Sequence, residues 1–222
     1  SQRVSRQYEK KGGLPQLSIV RLPNDHTAGT KPGYPTPRAM MADNDLALGR
    51  LVEAVTHSDY WEKTAIFVVE DDAQNGPDHV DAHRSLAHVI SPYTRRNNVD
   101  STFYSTVWGL RTMEFILGLP PMTQFDAAAT PMVNAFQSKP NTKPYTAITP
   151  KQPLNEMNTK SSPGAQKSKN LNLKKADQAP MQEFNRILWH AVKGEHSQMP
   201  KPHTRFRTAA TPGAALASKN ND

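Results

Sequence analysis

A chain of 222 residues with no cysteine excludes a disulfide framework and a thiolate metal centre, and it contains no apolar run approaching the ~18 residues of a transmembrane helix. Its formal charge of +7 is unevenly spread. Residues 1–137 carry 13 Lys and Arg against 15 Asp and Glu, whereas residues 138–222 carry 14 against 5, so a nucleic-acid partner would have to rest on the basic C-terminal part alone and is not expected.

In chain order, "SQRVSRQYEKKGG" has no apolar core and does not read as a signal peptide. It begins without Met, which suggests a processed or truncated chain. "LPQLSIVRLP" (14–23) is rich in Leu, Ile and Val between two prolines, and a strand is expected over 17–22. A Gly- and Pro-rich loop follows. Thr36 before Pro37 reads as a helix start, with a hydroxyl at the N-cap and Pro at the first helical position. Met41, Leu48, Leu51, Val52 and Val55 then recur at helical spacing.

"TAIFVVE" (64–70) is β-branched and apolar on both faces, the pattern of a strand inside a parallel sheet. "LAHVISP" (86–92) reads as another strand. "STFYSTVWGLRTMEFILG" (101–118) reads as a helix with Val107, Leu110, Met113, Phe115, Ile116 and Leu117 on an apolar face and Gly118 just past its end. The order of elements is that of an α/β fold.

Residues 138–180 are Pro, Lys, Asn, Ser and Thr with almost no core-forming side chain, and are expected to be extended or disordered. "MQEFNRILWHAVKG" (181–194) is one amphipathic helix that docks on the domain, with Met181, Phe184, Ile187, Leu188 and Val192 on a face. Residues 195–222 read as a tail.

Chemistry concentrates at "VVEDDAQNGPDHVDAHR" (68–84), where Glu70, Asp71, Asp72, Asp78 and Asp81 meet His79 and His83 behind an apolar strand. So many like charges are either solvated on a surface loop or gathered by a cation. Asp25 and His26 form a second, smaller cluster behind the first expected strand. In open α/β sheets ligands bind beyond the carboxyl ends of the strands, where both clusters fall. Without thiols, any metal is held by carboxylate, imidazole, amide or water, a donor set suited to zinc, manganese, calcium or magnesium. Asp43, Asn44 and Asp45 read as solvent-facing, His57, His88 and His190 as bystanders, and the three tryptophans as core or docking residues. Arg84, Arg95 and Arg96 either grip an anion or are solvated.

"TAIFVVEDDAQNGPDHV" resembles the strand–acidic pair–"DHV" segment of the phosphoesterase family that includes bacterial phospholipases C and related acid phosphatases, within the alkaline phosphatase superfamily. "LPNDHTAGT" is similar to the family's "DH" loop. The longer stretch from "MADNDLALGR" to "SPYTRR" is similar to the branch often fused behind a β-propeller. The resemblance covers residues 14–135, and "EFNRILWHAVKG" fits that branch's C-terminal end.

The resemblance implies a part of a three-layer α/β/α sandwich with a largely irregular C-terminal tail, with 1–137 as the C-terminal half of the phosphoesterase domain. It implies hydrolysis of a phosphate mono- or diester by a metal-activated Ser or Thr. By matching motifs, Asp71 and Asp72 correspond to the family's metal-binding acidic pair, Asp25 and His26 to its earlier Asp/His loop, and His79 or His83 to its late His. The implied cofactor is a divalent metal, zinc first, with manganese or calcium as alternatives. The implied setting is periplasmic or secreted, and the implied partners are the phosphate ester and an N-terminal half or propeller domain. The family's nucleophile lies upstream of anything matched here, and Thr27, Thr30 and Ser91 do not sit in its context. Weak or no hydrolysis is therefore expected of this chain alone. A catalytically inactive metal-binding or interaction module, and a polyanion-binding protein acting through the basic tail, are the alternative expectations.

Overall fold

Thr36 starts the longest helix. Its Oγ1 accepts the Ala39 N–H at 3.1 Å, which satisfies one of the donors that a helix start leaves without an internal partner, and Pro37 has no N–H to satisfy. In the structure of the protein, a computed structural model describing residues 13–24, 26–71, 76–78, 80–81, 83–175 and 178–203, this helix, α1, spans Pro37–Thr56. It is followed by strands β1 (Ile66–Val69) and β2 (Ala87–Ile90), then by helices α2 (Trp108–Leu117), α3 (Gln124–Ala127), α4 (Ala165–Asn170) and α5 (Met181–Lys193). The result is a small mixed α and β fold with a two-stranded sheet among the described residues.

β1 and β2 pair antiparallel, with Ile66 opposite Ile90 and Val69 opposite Ala87. This corrects the expectation of a strand inside a parallel sheet. Parallel neighbours need a crossover, usually a helix. The link Glu70–Leu86 has no helix among its described residues and simply returns the chain beside β1. The strand expected over 17–22 is also corrected. Residues 17–22 have no ladder partner among the described residues, and Leu17, Ile19 and Val20 are exposed.

The chain divides into two compact units that interleave in sequence. The first holds residues 13–24, Met41–Val69 and Ala87–Leu154. Its core is Trp108, Met132 and Ala135, with Phe67, Val89, Tyr104 and Phe136 packed against them. Thr112, one turn after Trp108, donates its hydroxyl to the Trp108 carbonyl at 2.7 Å and accepts the Met132 N–H at 3.0 Å. The buried side of α2 is thus set by Trp108 and Thr112, while Phe115 and Ile116, expected on an apolar inner face, are more than half exposed. Gly118 ends α2 with φ +67°, in the left-handed region that favours glycine.

The 139–154 stretch of this unit has no helix or strand, yet it is held in place. Trp61 donates its indole N–H to the Thr142 carbonyl at 3.1 Å and meets Tyr145 edge-on at 6.2 Å. The Tyr145 N–H reaches Thr56 Oγ1 at 3.1 Å, and the Arg96 guanidinium donates to the Asn141 and Lys143 carbonyls and lies over the Tyr145 ring.

The second unit holds His26–Met40, Glu70–Leu86 and 155–203. Its centre is a buried polar hub under α4 and α5. Asn158 donates its side-chain amide to the Gly29 and Pro35 carbonyls at 3.2 and 3.0 Å. Ala165 and Ser168 from α4 and Ile187 from α5 are buried with Thr30. Residues 138–154 therefore group with the first unit and 155–203 with the second, and α4 is a helix where the sequence suggested none.

Candidate functional site

The acidic loop after β1 is built around Asp78. Its Oδ1 accepts the backbone N–H groups of Val80 and Asp81 at 2.7 and 3.0 Å, and its Oδ2 accepts two N–H groups of Arg84 at 3.2 and 2.9 Å. Partial desolvation works to raise the Asp78 carboxyl, but the two backbone donors and the Arg84 guanidinium outweigh it and hold the group below the usual carboxylate range. Asp81 continues the turn. Its carboxylate accepts the His83 N–H at 2.9 Å, its carbonyl accepts the Arg84 N–H at 3.0 Å, and His83 Nδ1 lies 3.7 Å from its Oδ1. The Ser85 hydroxyl donates to the Glu70 carbonyl and ties the two ends of the loop together.

Of the six expected metal ligands, Asp25, Asp72 and His79 lie outside the described residues. His26, Asp71 and His83 all belong to the second unit and are all exposed, the His83 side chain by 61%. Their oxygen and nitrogen donors suit a divalent cation chemically. No group of three or more His, Asp or Glu placed to hold a metal occurs among the described residues.

The three arginines weighed as an anion grip have structural partners. Arg84 is held by Asp78. Arg95 Nε donates to the Phe136 carbonyl at 2.9 Å, and Arg96 serves the 141–145 stretch described above. The candidate hydroxyls are similarly occupied. Thr27 Oγ1 accepts the Gly29 N–H at 3.1 Å, Ser91 Oγ accepts the Tyr93 N–H at 3.1 Å, and Thr30 Oγ1 lies 3.0 Å from Ser168 Oγ. Thr30 and Ser91 are buried.

Two residues of the first unit have partners that the sequence did not mark. Asn44 Oδ1 accepts the Asn24 N–H at 3.1 Å, and Asp43 accepts the Asn24 side-chain amide. These helix residues, expected to face solvent, make exposed bonds that clamp Asn24, the position immediately before Asp25. No spacing signal marks a polar pairing 20 residues apart.

No protein-family model matches the chain, and no curated protein matches it either. What the arrangement offers chemically is a set of solvent-facing carboxylate and imidazole donors, Asp71 and His83, on a loop whose turn is fixed from within by Asp78 and Arg84.

Proposed function

We propose that this chain takes part in metal-dependent hydrolysis of phosphate esters, as part of a phosphoesterase domain of the alkaline phosphatase type. The observation that carries the reading is that the loop bearing His26 and the loop bearing Asp71 and His83, far apart in sequence, belong to the same compact unit. The exposed Leu17, Ile19 and Val20 in a segment with strand-like composition support its place in a larger three-layer α/β/α sandwich, where such a segment would find sheet neighbours. In this reading Asp25, His26, Asp71, Asp72 and one of His79 and His83 hold a divalent cation, zinc first. The bound cation would neutralise charge on the transferred phosphoryl group. Asp78 and Arg84 act as positioning residues, fixing the turn from which His83 projects. The phosphate ester is the substrate partner, and an exported setting belongs to the same reading.

A second reading, an inactive metal-binding or interaction module, is favoured by the burial of the Thr30 and Ser91 hydroxyls, which leaves neither presented as an attacking group.

Elemental analysis of the purified chain, paired with turnover of p-nitrophenyl phosphate mono- and diesters, separates these. Bound metal with turnover supports the hydrolase. Bound metal without turnover is the result expected of a phosphoesterase part that lacks its nucleophile or of the inactive module. A metal content unchanged by Asp71→Ala removes that residue from the site, and a chain that takes up no metal overturns the metal site and leaves the interaction module.

A further inference from the structure

Between Glu156 and Asp177 the sequence has five lysines, no carboxylate and no aromatic residue. All five, Lys160, Lys167, Lys169, Lys174 and Lys175, are exposed. The backbone that carries them is pinned. Asn158 is buried against the Gly29 and Pro35 carbonyls, Ser168 accepts the Thr30 N–H at 3.0 Å, and Asn172 Oδ1 accepts the Lys174 N–H at 3.2 Å. Lys167 Nζ lies 3.8 Å from Glu183, with both side chains largely in water, and Lys169 donates to Gln166 at 3.3 Å. Lys160, Lys174 and Lys175 form no ion pair among the described residues.

We infer that residues 157–175 form a binding shelf for a flexible, linear polyanion of repeating phosphates. Fixed lysines without interspersed acids give a local positive field that such a chain neutralises, with release of its counterions. The geometry of α4 narrows the class. Ala165 and Ser168 mark its buried side, so Lys167 and Lys169 lie about 100° to either side of Ser168. One ligand can engage both flanks only by bending around the helix. A DNA duplex, stiff over about 50 nm, and a planar bilayer each meet one flank at a time. Within 157–175 no aromatic side chain offers a platform for stacked bases, and the neighbouring Tyr34 ring, whose backbone carbonyl accepts the Asn158 N–H, already has Lys31 Nζ 4.8 Å from its centroid, which disfavours a single-stranded nucleic acid. The ligand that fits is a bare phosphate chain of the polyphosphate kind.

This inference is independent of the hydrolase reading, because binding through lysines needs no metal. The test is fluorescence anisotropy of end-labelled inorganic polyphosphate with the full chain in EDTA, over about 50 to 200 mM salt. Binding is expected without metal and to weaken steeply as salt rises. The quadruple variant Lys160→Gln/Lys169→Gln/Lys174→Gln/Lys175→Gln removes only exposed side chains, so it keeps its fold by circular dichroism. It loses about tenfold or more in affinity, and its log–log salt slope falls by roughly 3, at ~0.7 per phosphate contact. A control, Lys139→Gln/Lys143→Gln/Lys151→Gln, removes charge from the other unit and leaves most of the binding intact.

Equal loss in the two variants would reduce the effect to net charge and overturn the shelf. So would tighter binding of duplex DNA, an oligothymidylate or phosphatidylglycerol vesicles than of polyphosphate. Binding that appears only when zinc is added would move the ligand to the metal site. A chain that takes up no metal yet binds polyphosphate would count against the hydrolase reading and leave the shelf standing.

Discussion

Thr30 donates its backbone N–H to Ser168 Oγ at 3.0 Å, and the two hydroxyl oxygens lie 3.0 Å apart, with both residues 1% exposed. This contact joins the loop that follows His26 to helix α4, across 138 residues of sequence. Ser168→Ala removes the acceptor and leaves a buried N–H unsatisfied. The expected loss is about 1–3 kcal/mol of folding stability, read as a lower denaturation midpoint in urea with an unchanged slope. A midpoint equal to that of the wild type would show that the hub does not hold the loop.

Gly164 stands beside that contact with φ +77°, and a Cβ there would come within 3.2 Å of Ile187 Cγ1 and 3.4 Å of Thr30 Oγ1. Gly164→Ala thus combines left-handed strain with crowding of a buried side chain and costs about 1–3 kcal/mol. Because it presses on the residue that Ser168 holds, the double variant with Ser168→Ala departs from the sum of the single effects. Thermal unfolding of the four proteins of the cycle measures the departure.

The Asp78 carboxyl is depressed in the folded chain by donors that Arg84 in part supplies. A depressed carboxyl contributes stability above its unfolded value, about 3.9, and that contribution is lost as pH falls through the folded value. Arg84→Ala moves the Asp78 titration upward, toward the ordinary range, while the Val80 and Asp81 N–H groups keep it from returning fully. Side-chain carbon NMR over the acid range follows this directly. The stability change stays at or below about 1 kcal/mol, because solvent reaches both partners.

Asp126 accepts the Met122 and Thr123 N–H groups at 2.6 and 2.8 Å and the Thr123 hydroxyl, while Thr123 Oγ1 accepts from Phe125 and Asp126. This reciprocal cap starts α3. The Thr123 hydroxyl bond is the main cause of a carboxyl held far below its usual range. Its contribution is complete above about pH 4 and declines as pH falls below that. Asp126→Asn lowers the melting temperature at neutral pH and flattens its dependence between about pH 4 and 2. Thr123→Ala costs about 1 kcal/mol. Thermal melts across that range that superimpose on the wild type would refute the assignment.

What could be read from the sequence was local. Thr36-Pro37, Gly118, strand β2 and helix α5 each announce themselves within a few residues, and each is found where expected, although the buried side of α5 is Asn185 and Ile187 while Met181 and Val192 of the expected face are exposed. The reading failed where a partner distant in sequence decides the outcome. β1 looks like an interior strand because its apolar side chains do not reveal which neighbour it will have. Leu17, Ile19 and Val20 have strand composition but no ladder. The 139–158 stretch has no apolar period because hydrogen bonds hold it, from Trp61 to Thr142 and from Asn158 to Gly29 and Pro35. Of the candidate site, the sequence located the acidic loop but not the internal bracing by Asp78 and Arg84, nor the grip of Asp43 and Asn44 on Asn24.

The interleaving of the two units has a consequence for synthesis. Gly29, Thr30 and Pro35 find their side-chain partners 123 to 138 residues later. On a ribosome adding roughly 5–20 residues each second, this early loop waits for many seconds in water before Asn158 and Ser168 emerge. Until then nothing from that later segment can close it, and the loop entropy that must be given up is that of most of the chain. A nascent chain stalled before residue 158 would hold α1 with its first turns unsupported, open to proteases at the very segment that carries His26.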